Sequence, residues 1–397
     1  MTDPEPSTEL CAWIDPQRMI DDLSAMIAIP SMNPFQGEAR KDYREKEIAE
    51  FYCDRMSELG LDVGTREVVP GRPNVWGVLK GMGDGPSLML AGHLDTVGNE
   101  NYPEAFSPRV ENNRVYGRGA CDMKDALASY LEIVRVIRDA DLPLRGDLIL
   151  AGIADEEDQM IGSKDLGKHG PWADYGIIGE PSDMTICSAH KGQVGYRVRA
   201  LGKAVHSSRP EDGVNAIEGI AHVIEALKDH QRWLMSRDPH PMCGHGRCCP
   251  SVIRGGTIVS TVPDACELEV DRRTLPGESV EAVYRELEYL VAGITKAHPE
   301  FRFEIEGPTI DVQALDVPIE NPIVDSLLTA YRSVTGKPIE ASAFFGGTDA
   351  PHFGFPTLIF GAGSLQQAHS IDEYVEIDDM MIATKVYLSA AIKILCA

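Results

Sequence analysis

The stretch Leu-Met-Leu-Ala-Gly-His-Leu-Asp-Thr-Val-Gly at residues 88–98 determines how the rest of this 397-residue chain is interpreted. Its first four residues are apolar and predict a buried strand of a mixed or parallel sheet that ends at Gly92. His93 and Asp95 then lie at the carboxyl end of that strand, where open α/β sheets place their functional groups. Side chains alternate along a strand, so both point to one side, and the carboxylate can orient whatever the imidazole binds. A capped strand end with a hydrogen-bonded histidine would explain this pair equally well.

Length and charge indicate the number of domains and exclude several classes of binding partner. A chain of 397 residues exceeds what one hydrophobic core usually organises, so two domains are expected. The formal net charge of −25 repels nucleic acid and anionic lipid, and no cluster of Lys and Arg offsets it. The nine cysteines show no disulfide-like spacing, the first residues lack the regions of a signal peptide, and no segment is apolar enough to span a bilayer. These features predict a cytoplasmic protein that binds neither nucleic acid nor membranes.

Strands that end in an acid recur along the first part of the chain. Two helices and two strands are predicted ahead of the opening stretch, at residues 16–29, 43–59, 61–69 and 74–80. Beyond it, Asp122 precedes an amphipathic helix at 126–138. A buried strand at 147–154 ends in Asp155-Glu156-Glu157-Asp158, and a further short strand ends at Glu180. The recurrence indicates that carboxylates and histidines gather at strand ends.

The pattern changes between about residues 191 and 306 and indicates an inserted domain. Strands that alternate as antiparallel strands do are separated there by two long amphipathic helices. The predicted strands cover residues 194–201, 257–262 and 266–271, and the predicted helices cover 215–234 and 280–297. The α/β pattern returns with a helix at 321–334, a strand at 357–360 and a closing helix at 378–395. The predicted fold is an α/β catalytic domain, with a mixed sheet flanked by helices, in two parts (1–192 and 307–397) around an α+β two-layer insert (193–306).

Five candidate metal ligands are expected to gather at strand ends: His93, Asp122, Glu157, Glu180 and His369. Five nitrogen and oxygen donors suit two divalent ions that share one bridging carboxylate, with a water completing a second bridge. Imidazole with carboxylate indicates zinc, for which cobalt or manganese can substitute, and the absence of cysteine favours an open catalytic site. Asp122 alone would be interpreted as a helix cap, but its four companions outweigh that interpretation. Glu156 and Glu157 are adjacent, so one can ligate while the other takes a proton from water.

Eight motifs, spread over nearly the whole chain, resemble one enzyme family in their order. They are Gly92-His-Leu-Asp-Thr-Val, Gly117-Arg-Gly-Ala-Cys-Asp-Met-Lys, Asp155-Glu-Glu, Gly179-Glu-Pro, Lys191-Gly, His206-Ser, Asp271-Arg-Arg-Thr-Leu-Pro-Gly-Glu and Gln367-Ala-His-Ser-Ile-Asp-Glu-Tyr-Val. The chain is similar in these motifs to the acetylornithine deacetylase and succinyl-diaminopimelate desuccinylase family, relatives of aminoacylase and glutamate carboxypeptidase. Its last motif is more similar to that of the deacetylase branch. The resemblance implies a zinc-peptidase-like catalytic domain with an inserted lid domain through which two chains dimerise.

The resemblance also implies a role for each candidate residue. One zinc would be held by His93, Asp122 and Glu180, and the other by Asp122, Glu157 and His369. Asp95 would orient His93, and Glu156 would act as general base and then as general acid.

Further positions would contact the substrate or act across the dimer. His206 matches a histidine that reaches the partner's active site in dimeric members and stabilises the oxyanion, whereas the residues alone favour an exposed strand-end histidine. Asn215 and Arg273 match positions that contact the substrate's carboxylate. Gly347 and Asp349 lie in a glycine-rich loop that the family places by the active site, although a plain turn would explain them nearly as well.

A cysteine-rich segment departs from the family pattern at Cys243, His245, Cys248 and Cys249. The spacing fits no common zinc motif, so an irregular loop with buried thiols is expected rather than a third metal site.

The sequence therefore predicts a cytoplasmic, homodimeric, dinuclear zinc hydrolase that cleaves the amide bond of an N-acyl amino acid, with Glu156 as general base. The alternative is a dipeptidase, a carboxypeptidase or a hydrolase of another C–N bond on a small carboxylate substrate. A metal-dependent binding protein that had lost catalysis would lack Glu156 or Asp95, and both are present.

Overall fold

A computed structural model describes residues 9–35, 43, 45–99 and 101–396 of the chain. Their contacts separate two units: unit 2 is the continuous stretch Ala189–Asp316, and unit 1 comprises the chain on either side of it. The insert predicted at 193–306 falls within unit 2. The polar amino terminus and residue 44, at the start of the second predicted helix, lie outside the described residues.

Apart from the strand expected at residues 257–262, the predicted helices and strands occur in the predicted order. The structure adds the helix Ile161–His169, the strands Arg247–Gly255 and Arg302–Val312, and several short strands. The helices are α1 (Pro16–Ile27), α2 (Glu45–Glu58), α3 (Lys124–Asp139), α4 (Ile161–His169), α5 (Ala216–Ser236), α6 (Val280–Ala297), α7 (Pro322–Thr335) and α8 (Ile377–Leu395). The strands are β1 (Asp62–Val69), β2 (Arg72–Leu79), β3 (Leu88–His93), β4 (Arg109–Glu111), β5 (Arg114–Tyr116), β6 (Leu148–Ile153), β7 (Tyr175–Ile178), β8 (Cys187–His190), β9 (Gly192–Leu201), β10 (Arg247–Gly255), β11 (Ala265–Thr274), β12 (Arg302–Val312), β13 (Leu315–Asp316), β14 (Ser342–Phe344), β15 (Thr357–Ile359) and β16 (Tyr374–Glu376).

The main sheet has parallel strands at its centre. Its strand order is β1-β2-β6-β3-β7-β15-β8-β13, and β14 pairs with β8. β3 runs parallel to β6 and β7, and β15 runs parallel to β7. Every residue of β3 and β6 is buried, which explains why both strands are continuous apolar runs. The predicted mixed α/β sheet is confirmed.

The register of this sheet brings the predicted site segments together. His93, the last residue of β3, pairs with Ile153 at the end of β6. Ala91 pairs with Ile178 at the end of β7. The segments that follow these three strands therefore leave the sheet at the same edge, and they carry Asp95, Glu156, Glu157 and Glu180.

Capping residues set where several helices begin. The Asp15 side chain accepts a 2.8 Å hydrogen bond from the Gln17 N–H, and Pro16 is the first residue of α1. Ser279 caps α6, whose bounds match the prediction. α3 is buried along most of its length and packs against α1 and α8, which fixes the segment just ahead of it, where Asp122 lies. Among the described residues, no helix combines the length and the apolar character needed to cross a bilayer.

Unit 2 is the predicted two-layer α+β arrangement. Its four strands pair antiparallel in the order β10-β11-β9-β12. α5 packs against β9, β10 and β11, and α6 packs against α5 and β12. The apolar faces of these elements form one core, to which Val198, Ile220, Leu268 and Leu287 belong.

One predicted strand of the insert is wrong. Residues 257–262 form only a single bridge, between Thr261 and His206, and the side chain of Val259 is fully exposed. β10 ends at Gly255, and the chain turns at Gly256, whose φ of +78° favours glycine. Besides β9, β11 pairs with β10, which was not predicted because it is an exposed edge strand with polar residues and a bulge after Pro250.

Candidate metal centre and catalytic site

The first group of candidate ligands consists of His93, Asp122 and Glu180, whose ligand atoms lie within 4.8 Å of one another. His93 Nε2 is 3.1 Å from Asp122 Oδ1 and 3.9 Å from Glu180 Oε2. All three side chains are buried. His93 ends β3, Asp122 precedes α3 and Glu180 follows β7, so three separate segments supply this group.

The second group consists of Asp122, Glu157 and His369. His369 Nε2 lies 3.2 Å from both Asp122 Oδ2 and Glu157 Oε2. Asp122 thus turns one carboxylate oxygen toward His93 and the other toward His369, as expected of a ligand shared by two ions. His369 is half exposed, and its φ of +61° is a strained backbone conformation of the kind that functional sites retain.

The donors in these groups fit divalent cations. Two imidazoles and three carboxylates are the nitrogen and oxygen donors that zinc, cobalt and manganese bind. Among the described residues, Glu180 Oε1 is buried and has no hydrogen-bond partner, so this oxygen requires a cation or a donor. Three carboxylates in one cluster also require positive charge nearby. The residues present therefore suit a metal centre.

The charges of the ligands depend on one another. Burial raises the pKa of Glu180 well above its usual range, against the opposing effect of His93. Burial acts on Asp122 in the same direction, but its hydrogen bonds with His369 and His93 hold the pKa of Asp122 below its ordinary value. Contacts with Asp122 and Glu157 raise the pKa of His369 to about 10. The carboxylates thus favour positive charge among them, which is the charge that a cation would supply.

Glu156 directly precedes the candidate ligand Glu157 and lies on the same turn. Burial and the nearby Glu180 carboxylate raise the pKa of Glu156 well above its usual range. Its main-chain N–H donates to Asp95 Oδ1 at 3.1 Å, and that of Glu157 donates to Asp95 Oδ2 at 3.2 Å. The Asp95 carboxylate therefore holds the turn on which both acids are mounted.

The predicted link between Asp95 and His93 takes a different form. His93 Nδ1 lies 2.9 Å from the main-chain oxygen of Asp95, whereas the Asp95 carboxylate is 3.7 Å away. A carbonyl oxygen only accepts, so Nδ1 donates to it, and Nε2 is the nitrogen that faces Asp122 and Glu180. Asp95 therefore contacts the imidazole through its main-chain oxygen and the turn with Glu156 and Glu157 through its side chain.

Asn33 also contacts this site, although no motif in the sequence points to it. Its Nδ2 donates to Asp95 Oδ2 at 2.7 Å and to Asp155 Oδ1 at 3.0 Å, and all three residues are buried. Asp155, with a φ of +69°, begins the turn that carries Glu156. The partners of Asn33 are 62 and 122 residues away, so no local pattern in the sequence identifies this residue.

Three predicted site residues lie in unit 2. His206 is exposed, and its Nδ1 lies 2.8 Å from Ser208 Oγ. Asn215 caps the start of α5. Arg273 Nε donates to Asp271 Oδ2 at 3.0 Å. The roles of these residues toward the substrate stay predictions.

Asp349 and Gly347 lie in unit 1, in the predicted glycine-rich loop. Gly347 is half-buried, and Asp349 has no exposed surface. Burial raises the pKa of Asp349 to about 7. A carboxyl group that is partly protonated near neutral pH can donate a hydrogen bond, but its contact with substrate stays a prediction.

The cysteine-rich segment does not form a metal-ligand group within the described chain. Cys243 and Cys248 are buried as expected, whereas Cys249 is exposed. Cys248 and Cys249 belong to β10, so the expected irregular loop is confined to the residues before it.

Comparison with known families matches residues 89–393 to peptidase family M20/M25/M40. Acetylornithine deacetylases from Vibrio vulnificus and Edwardsiella ictaluri are 33% and 32% identical to this chain. The first alignment covers 85% of this chain and 88% of the relative, and the second covers 94% and 96%. The family resemblance inferred from the motifs is confirmed.

Solved structures share the fold at lower identity. They include a tripeptidase from Staphylococcus aureus, with a TM-score of 0.78 and 21% identity, and an aminopeptidase from Bacillus cereus, with a TM-score of 0.80 and 20% identity. Each comparison covers 96% of this chain and 99% of the solved chain. The matches in sequence and in fold, together with the ligand groups, lead to one conclusion: the chain belongs to peptidase family M20/M25/M40 and is a metal-dependent hydrolase of C–N bonds.

Proposed function

We propose that this chain removes the acyl group from an N-acyl amino acid and that its two ligand groups hold two divalent ions, with zinc as the native metal. The observation that carries the proposal is the position of Asp122, whose two oxygens lie 3.1 Å from His93 Nε2 and 3.2 Å from His369 Nε2. A carboxylate shared in this way is what a pair of ions requires. The relatives named acetylornithine deacetylase support an acylated amino acid as substrate.

Each ion would have its own histidine and its own glutamate. His93 and Glu180 would serve one ion, Glu157 and His369 would serve the other, and Asp122 would serve both. Divalent ions bound there would polarise the scissile carbonyl and lower the pKa of water.

Glu156 would move the proton in this reaction. Its carboxylate accepts a proton from the attacking water and then transfers it to the nitrogen of the leaving amine, so that water and amide become a carboxylic acid and an amine. Asp95 and Asn33 keep the turn that carries Glu156 in place.

Unit 2 would serve as a lid and as the surface through which two chains form a homodimer. In this proposal His206 of one chain stabilises the oxyanion in the active site of its partner. Asn215 and Arg273 bind the carboxylate of the substrate, and the loop with Gly347 and Asp349 borders the substrate. The cytoplasmic location stays a prediction from composition.

The proposal is tested with metal-free protein that is reconstituted with zinc or cobalt and assayed on a panel of N-acetyl amino acids, N-succinyl amino acids and dipeptides. We expect activity to return near two equivalents of metal and kcat/KM to be highest for an N-acetyl amino acid. Full activity of the metal-free protein would overturn the metal mechanism. A preference for dipeptides would instead support the peptidase alternative and contradict deacylation.

A further inference from the structure

Glu373, four residues after His369, makes several bonds to the segment at residues 117–122, which ends in Asp122. Its carboxylate is fully buried. Arg118 Nη1 donates to Glu373 Oε2 at 2.5 Å, and the main-chain N–H groups of Cys121 and Asp122 donate to Oε1 at 3.1 and 3.2 Å. The main-chain oxygen of Glu373 accepts a further bond of 3.0 Å from the Gly117 N–H. One residue therefore joins the two segments that carry Asp122 and His369.

The bonds at Glu373 are of a kind that fixes position. Arg118 is 3% exposed, so its charge depends on the Glu373 carboxylate rather than on water. A carboxylate that accepts two successive main-chain N–H groups fixes the peptide planes on which Asp122 is mounted. Neither oxygen of Glu373 belongs to the two ligand groups, so Glu373 acts on the metal centre only through other residues.

The segment that carries His369 is held from its other side as well. Gln367 Nε2 donates to the main-chain oxygen of Asp372 at 2.9 Å, which closes the turn around His369. That turn contains the strained φ of +61° at His369. Because Glu373 follows directly, its bonds to residues 117–122 set the position of the whole turn.

We propose that Glu373 is a positioning residue that sets the separation of Asp122 and His369 and so tunes the affinity of the second ligand group for its ion. This inference rests on the proposed two-ion function. Two of the three ligands in the second group come from the segments that Glu373 joins, whereas the first group takes only Asp122 from them. Loss of Glu373 is therefore expected to weaken the second site selectively.

The test is a zinc titration of metal-free protein against a chromophoric chelator, which measures the two dissociation constants without reference to activity. His93→Ala and His369→Ala assign each constant to a site, because each variant removes a ligand from one group only. In Glu373→Gln we expect the dissociation constant of the second site, the one that His369→Ala affects, to rise by about 10- to 100-fold. This is the usual effect of losing an outer hydrogen-bond partner. The other constant should rise by less.

Glu376→Gln is a matched control. Glu376 pairs with Arg114 at 2.6 Å, and this pair joins neighbouring residues of the same two segments but is about one-third exposed. Both dissociation constants should be unchanged in this variant. If Glu373→Gln does not give folded protein, Glu373→Asp is used instead. It keeps the charge but retracts it by one methylene group, and it should weaken zinc binding at the second site selectively, by a smaller factor.

Equal weakening of both sites, or no weakening in folded Glu373 variants, would overturn the inference while leaving the two-ion function intact. If His369→Ala still binds two equivalents of zinc with unchanged constants, the assignment of the second site is wrong, and the inference falls together with the proposed function.

Discussion

Asn33 and Asp95 are joined by a buried hydrogen bond of 2.7 Å from Nδ2 to Oδ2, although 62 residues separate them in sequence. The same carboxylate accepts the main-chain N–H groups of Glu156 and Glu157. Because the bond is shielded from water, it holds the carboxylate in one orientation. The position of the proposed general base thus depends on a residue near the amino terminus.

Replacing Asn33 with alanine should lower kcat by about 10- to 100-fold, since a small displacement of a catalytic group is costly. KM should stay close to that of the unaltered enzyme, whereas metal affinity should fall modestly, because the Asp95 oxygen that Asn33 holds also accepts the N–H of the candidate ligand Glu157. Steady-state kinetics and metal analysis measure both. Asn321→Ala, which removes only the cap of α7, is the control and should leave kcat unchanged. A normal kcat in Asn33→Ala would contradict the role given to this residue.

The adjacent acids should separate into a base and a ligand. Glu156→Gln should lower kcat by at least about a hundredfold, as expected for loss of a general base, with metal content near normal. Glu157→Gln should lose metal from the second site, because an amide is a poorer ligand than a carboxylate. Metal analysis after gel filtration, together with kinetics, distinguishes the two variants. The reverse pattern would show that the two roles are exchanged.

His206 should act in the active site of the partner chain. His206→Ala should lower kcat by about 100- to 1000-fold, the usual effect of losing an oxyanion donor, without changing metal content. Coexpressing inactive His206→Ala and inactive Glu156→Ala chains should restore part of the activity, since each heterodimer would contain one intact site. Absence of activity in purified heterodimers would exclude action across the dimer.

His190 should make the fold less stable in acid. It has no exposed surface, and burial lowers its pKa to about 4, against the hydrogen bond that it donates to the Lys191 carbonyl. Between that pH and the usual pKa of about 6.5, the unfolded chain binds a proton that the folded chain does not, so stability falls as pH falls. Above pH 6.5 this effect is absent.

His190→Asn removes the titrating group and keeps a donor. From pH 7 to pH 4.5 the unaltered chain should lose about 2–3 kcal/mol more unfolding free energy than this variant. Urea denaturation of both metal-free proteins measures the difference, and equal losses would contradict the prediction.

Local patterns in the sequence predicted the elements that bury an apolar face. The run at residues 88–91 predicted β3, and the spacing of apolar residues predicted α6 at the bounds that the structure shows. The same approach failed for β10, because an edge strand with exposed side chains lacks apolar alternation. It also placed a strand at residues 257–262, where the β-branched Ile258 and Val259 are exposed in a turn.

Four of the five candidate ligands could be predicted because each ends or follows a recognisable strand or precedes a helix, whereas His369 lies in turns between β15 and β16. The residues that position these ligands could not be predicted in this way. Asn33 and Glu373 act through partners more than 60 residues away, and their bonds go partly to main-chain atoms that leave no trace in the sequence. The carboxylate of Asp95 illustrates the same limit, since its partners are the N–H groups of Glu156 and Glu157.

The place of β15 between β7 and β8 has a consequence for biosynthesis. β15 begins at Thr357, which is 179 residues after β7 ends at Ile178. At ordinary rates of translation, β15 is therefore made roughly 10–35 s after β7 and β8, and until then the facing edges of these two strands are unpaired. During this time the unpaired main-chain N–H and C=O groups of two strand edges are open to wrong pairing. The nascent chain is accordingly expected to depend on chaperones until β15 has emerged from the ribosome.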